Sequence, residues 1–202
     1  ASASSSANVR VYPEPVMIKA GLSGVVATCA PKYMGRDSSG GTLAPVESSA
    51  ESPANWALRE FRRLIASDFS LAEAGLLISA AVQGRTEGDF DLVGHLARLD
   101  ELAAHVDSPT ADGVFTCLFQ RLGFRGDRER YYSLENSLID RVIDRQLGIP
   151  ISLSVVFIEV ARRVGVELHG VGLPGHFVVS TSGGGAFYDA FEPSGPMTRA
   201  DC

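Results

Sequence analysis

Apolar positions recur at helical spacing through most of the chain after residue 55, and the period shortens to that of strands near the end. Trp56, Leu58, Phe61, Leu64 and Ile65 form the first stripe, with Arg59, Arg62 and Arg63 among them. Leu71, Ala74, Leu77, Ile78 and Ala81 form the second. Asp68 or Ser70 caps it, Glu73 completes a capping box with Ser70, and Gly84 stops it. A third run passes through Phe90, Leu92, Val93, Leu96, Leu99, Leu102, Ala103 and Val106 and ends before Pro109. Residues 110–124 predict a fourth helix that closes in the turn Gly123-Phe-Arg-Gly126. Asn136 is then placed as the N-cap of a helix from Leu138 to Leu147.

The stretch from Gly148 to Asp189 organises the rest. Ile151, Leu153, Val155, Val156, Phe157, Ile158 and Val160 are apolar almost all round, which marks a buried helix. Pro150 suits its first turn, Arg162 and Arg163 suit its carboxyl end, and Gly165 closes it. Val166–Val171 and His176–Ser180 read as short strands, Ser182–Gly185 as a turn, and a last strand ends at Asp189. A hairpin there sets His176 beside Asp189, the pairing by which a carboxylate orients a general base. His169 points to solvent or a loop. Cys117, between Phe115 and Phe119, reads as a small core residue and not a nucleophile. Arg125, Tyr131 and Tyr132 are candidates for the rim of a cleft.

The order of helix, strand, His-strand, turn and Asp-strand resembles the transglutaminase-like (papain-like) core. The wording NSLIDRVIDRQLGIPISLSVVFIEVARRVGVELHGVGLPGHFVV closely resembles the SirB family of transglutaminase-like proteins, and AEAGLLISAAVQ and LARLDELAAHV match that family's helical amino-terminal half in rhythm. The resemblance implies an α+β fold, with a helical part packed on a buried helix plus a small antiparallel sheet. The expected organisation is a flexible segment over 1–54, a helical subdomain over 55–108 and the core over 109–202, the family usually continuing into helical repeats. The resemblance covers Asn136 too, which implies that Asn136 could face the cleft instead of capping. It also implies a catalytic Cys at the helix start. Counting back from Arg162 and Gly165 puts that position at Pro150, which offers no nucleophile. Ser152 stands two residues on and Ser154 half a turn further. A hydroxyl gains little from a helix N-terminus that can ionise a thiol, so Ser152 would need His176 as full general base.

Two functions follow. The first is a degenerate domain that binds a protein or peptide in the old cleft through His176, Asp189 and the polar serines. The second is an amide or ester hydrolase or acyltransferase using Ser152, His176 and Asp189. No phosphate loop, HExxH, paired CxxC or GxGxxG is present, so no metal or cofactor is expected. A formal charge of −6 argues against a nucleic-acid partner, and no apolar run is long enough to span a bilayer. Cys29, Cys117 and Cys202 lack disulfide density and metal spacing, which favours a reducing compartment. The Ser/Ala-rich, acid-poor start fits the end of a plastid transit peptide and equally an ordinary flexible tail, with the cytoplasm as the other address. Val16-Met-Ile and Leu22-Ser-Gly-Val-Val could dock on the domain as an arm.

Overall fold

The structure, a computed structural model, describes residues 17–18, 56–66 and 69–201. Most of the segment 1–54, with Cys29, Asp68 and Cys202, lies outside the described residues. The helices are α1 (Trp56–Leu64), α2 (Leu71–Val82), α3 (Leu92–Ala104), α4 (Ala111–Phe115), α5 (Ile139–Arg145) and α6 (Pro150–Arg163). The strands are β1 (Met17–Ile18), β2 (Arg125–Gly126), β3 (Leu147–Gly148), β4 (Leu168–Leu173), β5 (His176–Thr181), β6 (Phe187–Tyr188) and β7 (Pro196–Met197). An antiparallel sheet runs β1-β4-β5-β6-β7, and β2 pairs with β3 in parallel. This is the expected α+β arrangement of a buried helix with a small antiparallel sheet.

Local chemistry sets the boundaries of α6. Ile149 is extended, Pro150 takes the first helical position, and the Ile149 N–H donates to Ser152 Oγ at 3.1 Å. At the far end Gly165 adopts φ +78°. Its N–H bonds to Arg162 O, and that of Val166 to Ala161 O, which closes the helix as a Schellman motif. That closure uses Val166, so β4 begins at Leu168 and not at Val166. In the middle, Phe157 is fully buried against the rings of Phe119, Tyr188 and Phe115, with centroids at 5.5, 5.6 and 6.1 Å.

The helical part shares this core. Trp56, Leu76, Leu77 and Leu99 join Phe157, Leu168, Val179 and Tyr188 in one continuous cluster. A buried carboxylate adds a polar tie. Glu159 Oε1 accepts the Leu71 N–H at the start of α2 (2.8 Å). Its Oε2 takes Arg162 (2.9 Å) and Arg163 (2.8 Å), and Arg163 also reaches Asp100 on α3 (2.6 Å). Burial pushes the Glu159 carboxyl up, but the two guanidinium groups outweigh it and hold it below the ordinary glutamate value.

Three further boundaries differ from the sequence expectation. The fourth helix divides into α4 and a wider π turn over Thr116–Arg121, with Leu122 N–H bonded back to Cys117 O. Asn136 does not cap α5. It ends a 3₁₀ turn, and the first free N–H of α5, at Ile139, is taken by Ser79 Oγ of α2 at 2.9 Å. Helix α5 also stops at Arg145, because Gln146 turns left-handed (φ +58°) and Leu147 and Gly148 pair with Arg125 and Gly126.

Candidate functional site

The site is built on the β4–β5–β6 meander. Leu173 pairs with His176 across Pro174-Gly175, where Gly175 has φ +76° and a side chain would be strained. Phe177 lines a small cavity with Ile151 and Val155 of α6, and Tyr188, which pairs with Val179, packs its ring on Phe157. Strand alternation therefore turns His176 and Asp189 together to the other face. There His176 Nε2 lies 3.0 Å from Asp189 Oδ2. The second carboxylate oxygen accepts the N–H groups of Phe191 (2.8 Å) and Glu192 (3.0 Å), so the carboxylate cannot swing away. Asp189 is buried while the His176 side chain is 37% exposed. With Nε2 engaged, Nδ1 is the nitrogen left to act on another group, and it has no hydrogen-bond partner among the described residues.

The candidate nucleophiles are committed elsewhere. Ser152 is buried, accepts from the Ile149 N–H and donates to Asn136 O at 2.5 Å. Ser154 is buried and donates to Pro150 O at 2.7 Å. Neither hydroxyl bonds to His176. Cys117 is buried with its thiol toward His105 O (3.4 Å), and burial pushes that thiol up, away from the reactive thiolate. His169 faces the β5–β6 turn as expected of a loop-facing side chain, with Nε2 3.1 Å from Ser182 Oγ.

Asn136 sits instead at the centre of a polar network beneath the α6 start. Its Nδ2 donates to Arg130 O (2.6 Å) and Tyr131 O (3.3 Å), and its Oδ1 accepts from Arg145 (3.1 Å). Arg145 also pairs with Asp127 (3.1 Å). The Arg130 N–H leads the groups that hold the Asp127 carboxyl low, against its burial, with help from Asn136 and Arg145. The effect is to pin the 127–136 loop to the helix start through one amide and one guanidinium.

The sequence profile described as Transglutaminase-like superfamily matches residues 92–202, more than half of the chain and all of the site. The chain belongs to the transglutaminase-like superfamily. It is also similar to the UPF0162 protein of Xylella fastidiosa (strain Temecula1), 55% identical over 62 residues, covering 31% of this chain and 22% of that protein. Against the UPF0162 protein of Vibrio cholerae it is 32% identical over 121 residues, 57% of this chain and 44% of that one. Against F-box only protein 21 of Mus musculus it is 37% identical over 89 residues, 43% of this chain and 14% of that one. The chain thus spans less than half the length of each of these relatives. No solved structure matches at the same stringency.

Beside the His–Asp pair of this transglutaminase-like domain lies an aromatic row. Tyr131 meets Tyr132 and Phe191 edge-on, with centroids at 5.2 and 5.6 Å, and Tyr132 is 97% exposed. Behind Phe191 opens a groove of about 570 Å³ with Phe119, Phe124, Leu147 and Arg125 in its wall. Arg125 is exposed and donates to Gly123 O (3.3 Å). Gly126 makes room for the Phe191 ring, since a Cβ there would fall 2.4 Å from it. Tyr131 and Tyr132 thus form one row with Phe191, and Arg125 lines the groove that Phe191 lines. In sequence Asp127 belongs to a mixed charge cluster that reads as a solvated loop, yet it is buried, and Arg145 carries no local pattern that marks it as its partner.

The two roles of Asp189 can be separated. Asp189→Asn keeps an oxygen for the Phe191 and Glu192 N–H groups and should melt close to the natural chain. Asp189→Ala frees both donors and should cost about 1–3 kcal/mol. Urea titration of the two variants checks this; equal losses would mean that the charge, and not the turn, is what matters to folding.

Proposed function

We propose that this chain is a transglutaminase-like domain that binds a protein or peptide segment and carries out no thiol chemistry, with Pro150 in the nucleophile's position. The observation that carries the reading is the α6 start: Pro150 holds the first helical position, and the Ser152 and Ser154 hydroxyls are spent on backbone groups. His176, oriented by Asp189, is then a half-buried imidazole with no hydroxyl or thiol bonded to it among the described residues. Such a pair suits hydrogen bonding to a peptide backbone, and the Tyr131–Tyr132–Phe191 row supplies apolar contact next to it. Formal charge is −6, so a protein partner is favoured over nucleic acid. SirB-type affiliation and a plastid address belong to the same proposal, the latter tested by locating a tagged chain.

The test has two arms. Incubation with a fluorophosphonate and an alkylating thiol probe, followed by peptide mass mapping, should label neither Ser152 nor Ser154. Peptides selected from a random array should lose at least tenfold in affinity, about 1.4 kcal/mol, when His176 or Phe191 is replaced by Ala in a chain that still melts normally. Labelling of Ser152 that vanishes in His176→Ala would overturn the binding reading in favour of a serine hydrolase.

A further inference from the structure

We propose that the outer edge of β4 and the apolar trough beside it are the docking site of the chain's own amino-terminal arm, residues 16–26 (VMIKAGLSGVV). This surface is separate from the His176–Asp189 site and does not depend on how that site is used.

Strand β4 is paired along its whole length with β5 on one side. On its other side two register positions are covered among the described residues, Val171 by Met17 and Gly170 by Ile18. An uncovered edge is a template for pairing with other chains, and proteins cover such edges. The pairing is antiparallel, so the chain beyond Ile18 heads toward Leu168 and the beginning of β4.

That is where the trough lies. A cavity of about 100 Å³ sits between β4 and α6, lined by Ile151, Val155, Gly170 and Phe177. A larger one of about 460 Å³ continues past it, lined by Phe69, Val166 and Glu167. The two share Leu71, Ile158 and Leu168, so they form one trough. Ile151 at one end is 49% exposed and Phe69 at the other is 42% exposed, large apolar side chains that water covers poorly.

The arm's composition matches this path. Leu22 follows Ile18 by four residues, about 13 Å if extended, a length that would carry it beyond Leu168 to the larger cavity. Val25 and Val26 come next. If the register set by Met17 and Ile18 continued, Lys19, the arm's one charged residue, would come opposite His169 and diagonal to Glu167. Strand pairing would supply the register and the trough the side-chain contacts, the division of labour in which a strand adds to a sheet edge.

The experiment uses the full chain with Cys29 and Cys202 replaced by Ser. Directly paired strand positions have a Cα separation that a disulfide can bridge. Met17→Cys with Val171→Cys should therefore oxidise to a crosslink within one chain, while Met17→Cys with Leu173→Cys should not. In a second variant, Leu22→Asp with Val25→Asp should speed hydrogen exchange over residues 168–173 at least tenfold and leave the melting temperature of the core in place. A crosslink between two chains would assign the site to a second copy, and equal crosslinking of both cysteine pairs would remove the register; either overturns the proposal. Unchanged exchange in the Leu22→Asp, Val25→Asp variant would overturn it as well.

Discussion

Phe157→Ala is expected to lower the free energy of unfolding by about 3–5 kcal/mol. Three rings close on Phe157 from three elements: Phe115 from α4, Phe119 from the turn after it, and Tyr188 from β6. Two of the three, Phe119 and Tyr188, meet it nearly edge-on, at interplanar angles of 88° and 84°. Tyr188 cannot follow a shrinking neighbour freely, because its hydroxyl donates to Asp112 at 2.8 Å. The site therefore collapses poorly, and most of the lost volume stays as a cavity. Urea denaturation at neutral pH reads the effect as a shift in midpoint at constant slope. A loss under about 1 kcal/mol would mean that the rings repack.

Glu159→Ala should be comparably damaging, for a different reason. Removing one member of a buried ion cluster leaves its partners desolvated and unpaired, which costs about 3–5 kcal/mol. Arg162 can turn to water, since 59% of its side chain is exposed. Arg163, at 14% exposure, cannot, although Asp100 still holds it. The Leu71 N–H loses the Glu159 acceptor and with it the tie from the start of α2 to α6. The same carboxylate gives a pH dependence with a definite sign. Its folded pKa lies below the ordinary value, so its stabilisation is present above that value and is lost as pH falls through the folded pKa. The gap in urea midpoint between the natural chain and Glu159→Gln should hold steady above about pH 5 and shrink below about pH 4. A gap that widens on acidification would show that Glu159 is not the charged partner of the two arginines.

What could be read from the sequence was local. Pro150 and Gly165 bracket α6 because a missing N–H and a left-handed backbone each act within one turn of the chain. The His176–Asp189 pair was legible for the same reason, since a single hairpin turn brings the two side chains together. The capping of α5 was not legible. Its donor is met by Ser79, sixty residues earlier in the chain, and Asn136 was released for a network with Arg130, Tyr131 and Arg145. The fate of Ser152 was hidden in the same way. Whether a serine at a helix start is free or spent depends on whether a carbonyl such as Asn136 O is folded against it. The wide turn at Thr116–Arg121 leaves no mark on the apolar pattern, because Phe115, Cys117, Leu118 and Phe119 are all buried through it.

The continuous core limits how this protein can be cut. The superfamily profile starts at residue 92, inside the helical part and at the first residue of α3. Trp56, Leu76 and Leu77 lie upstream of that point and are buried in the same cluster as Phe157 and Tyr188. A fragment begun at residue 92, or at residue 109 where the core is expected to start, would be made with the underside of its own core exposed. Its aggregation would report a missing lid and not an unstable fold. Any recombinant piece meant to represent the superfamily domain should begin upstream of Trp56.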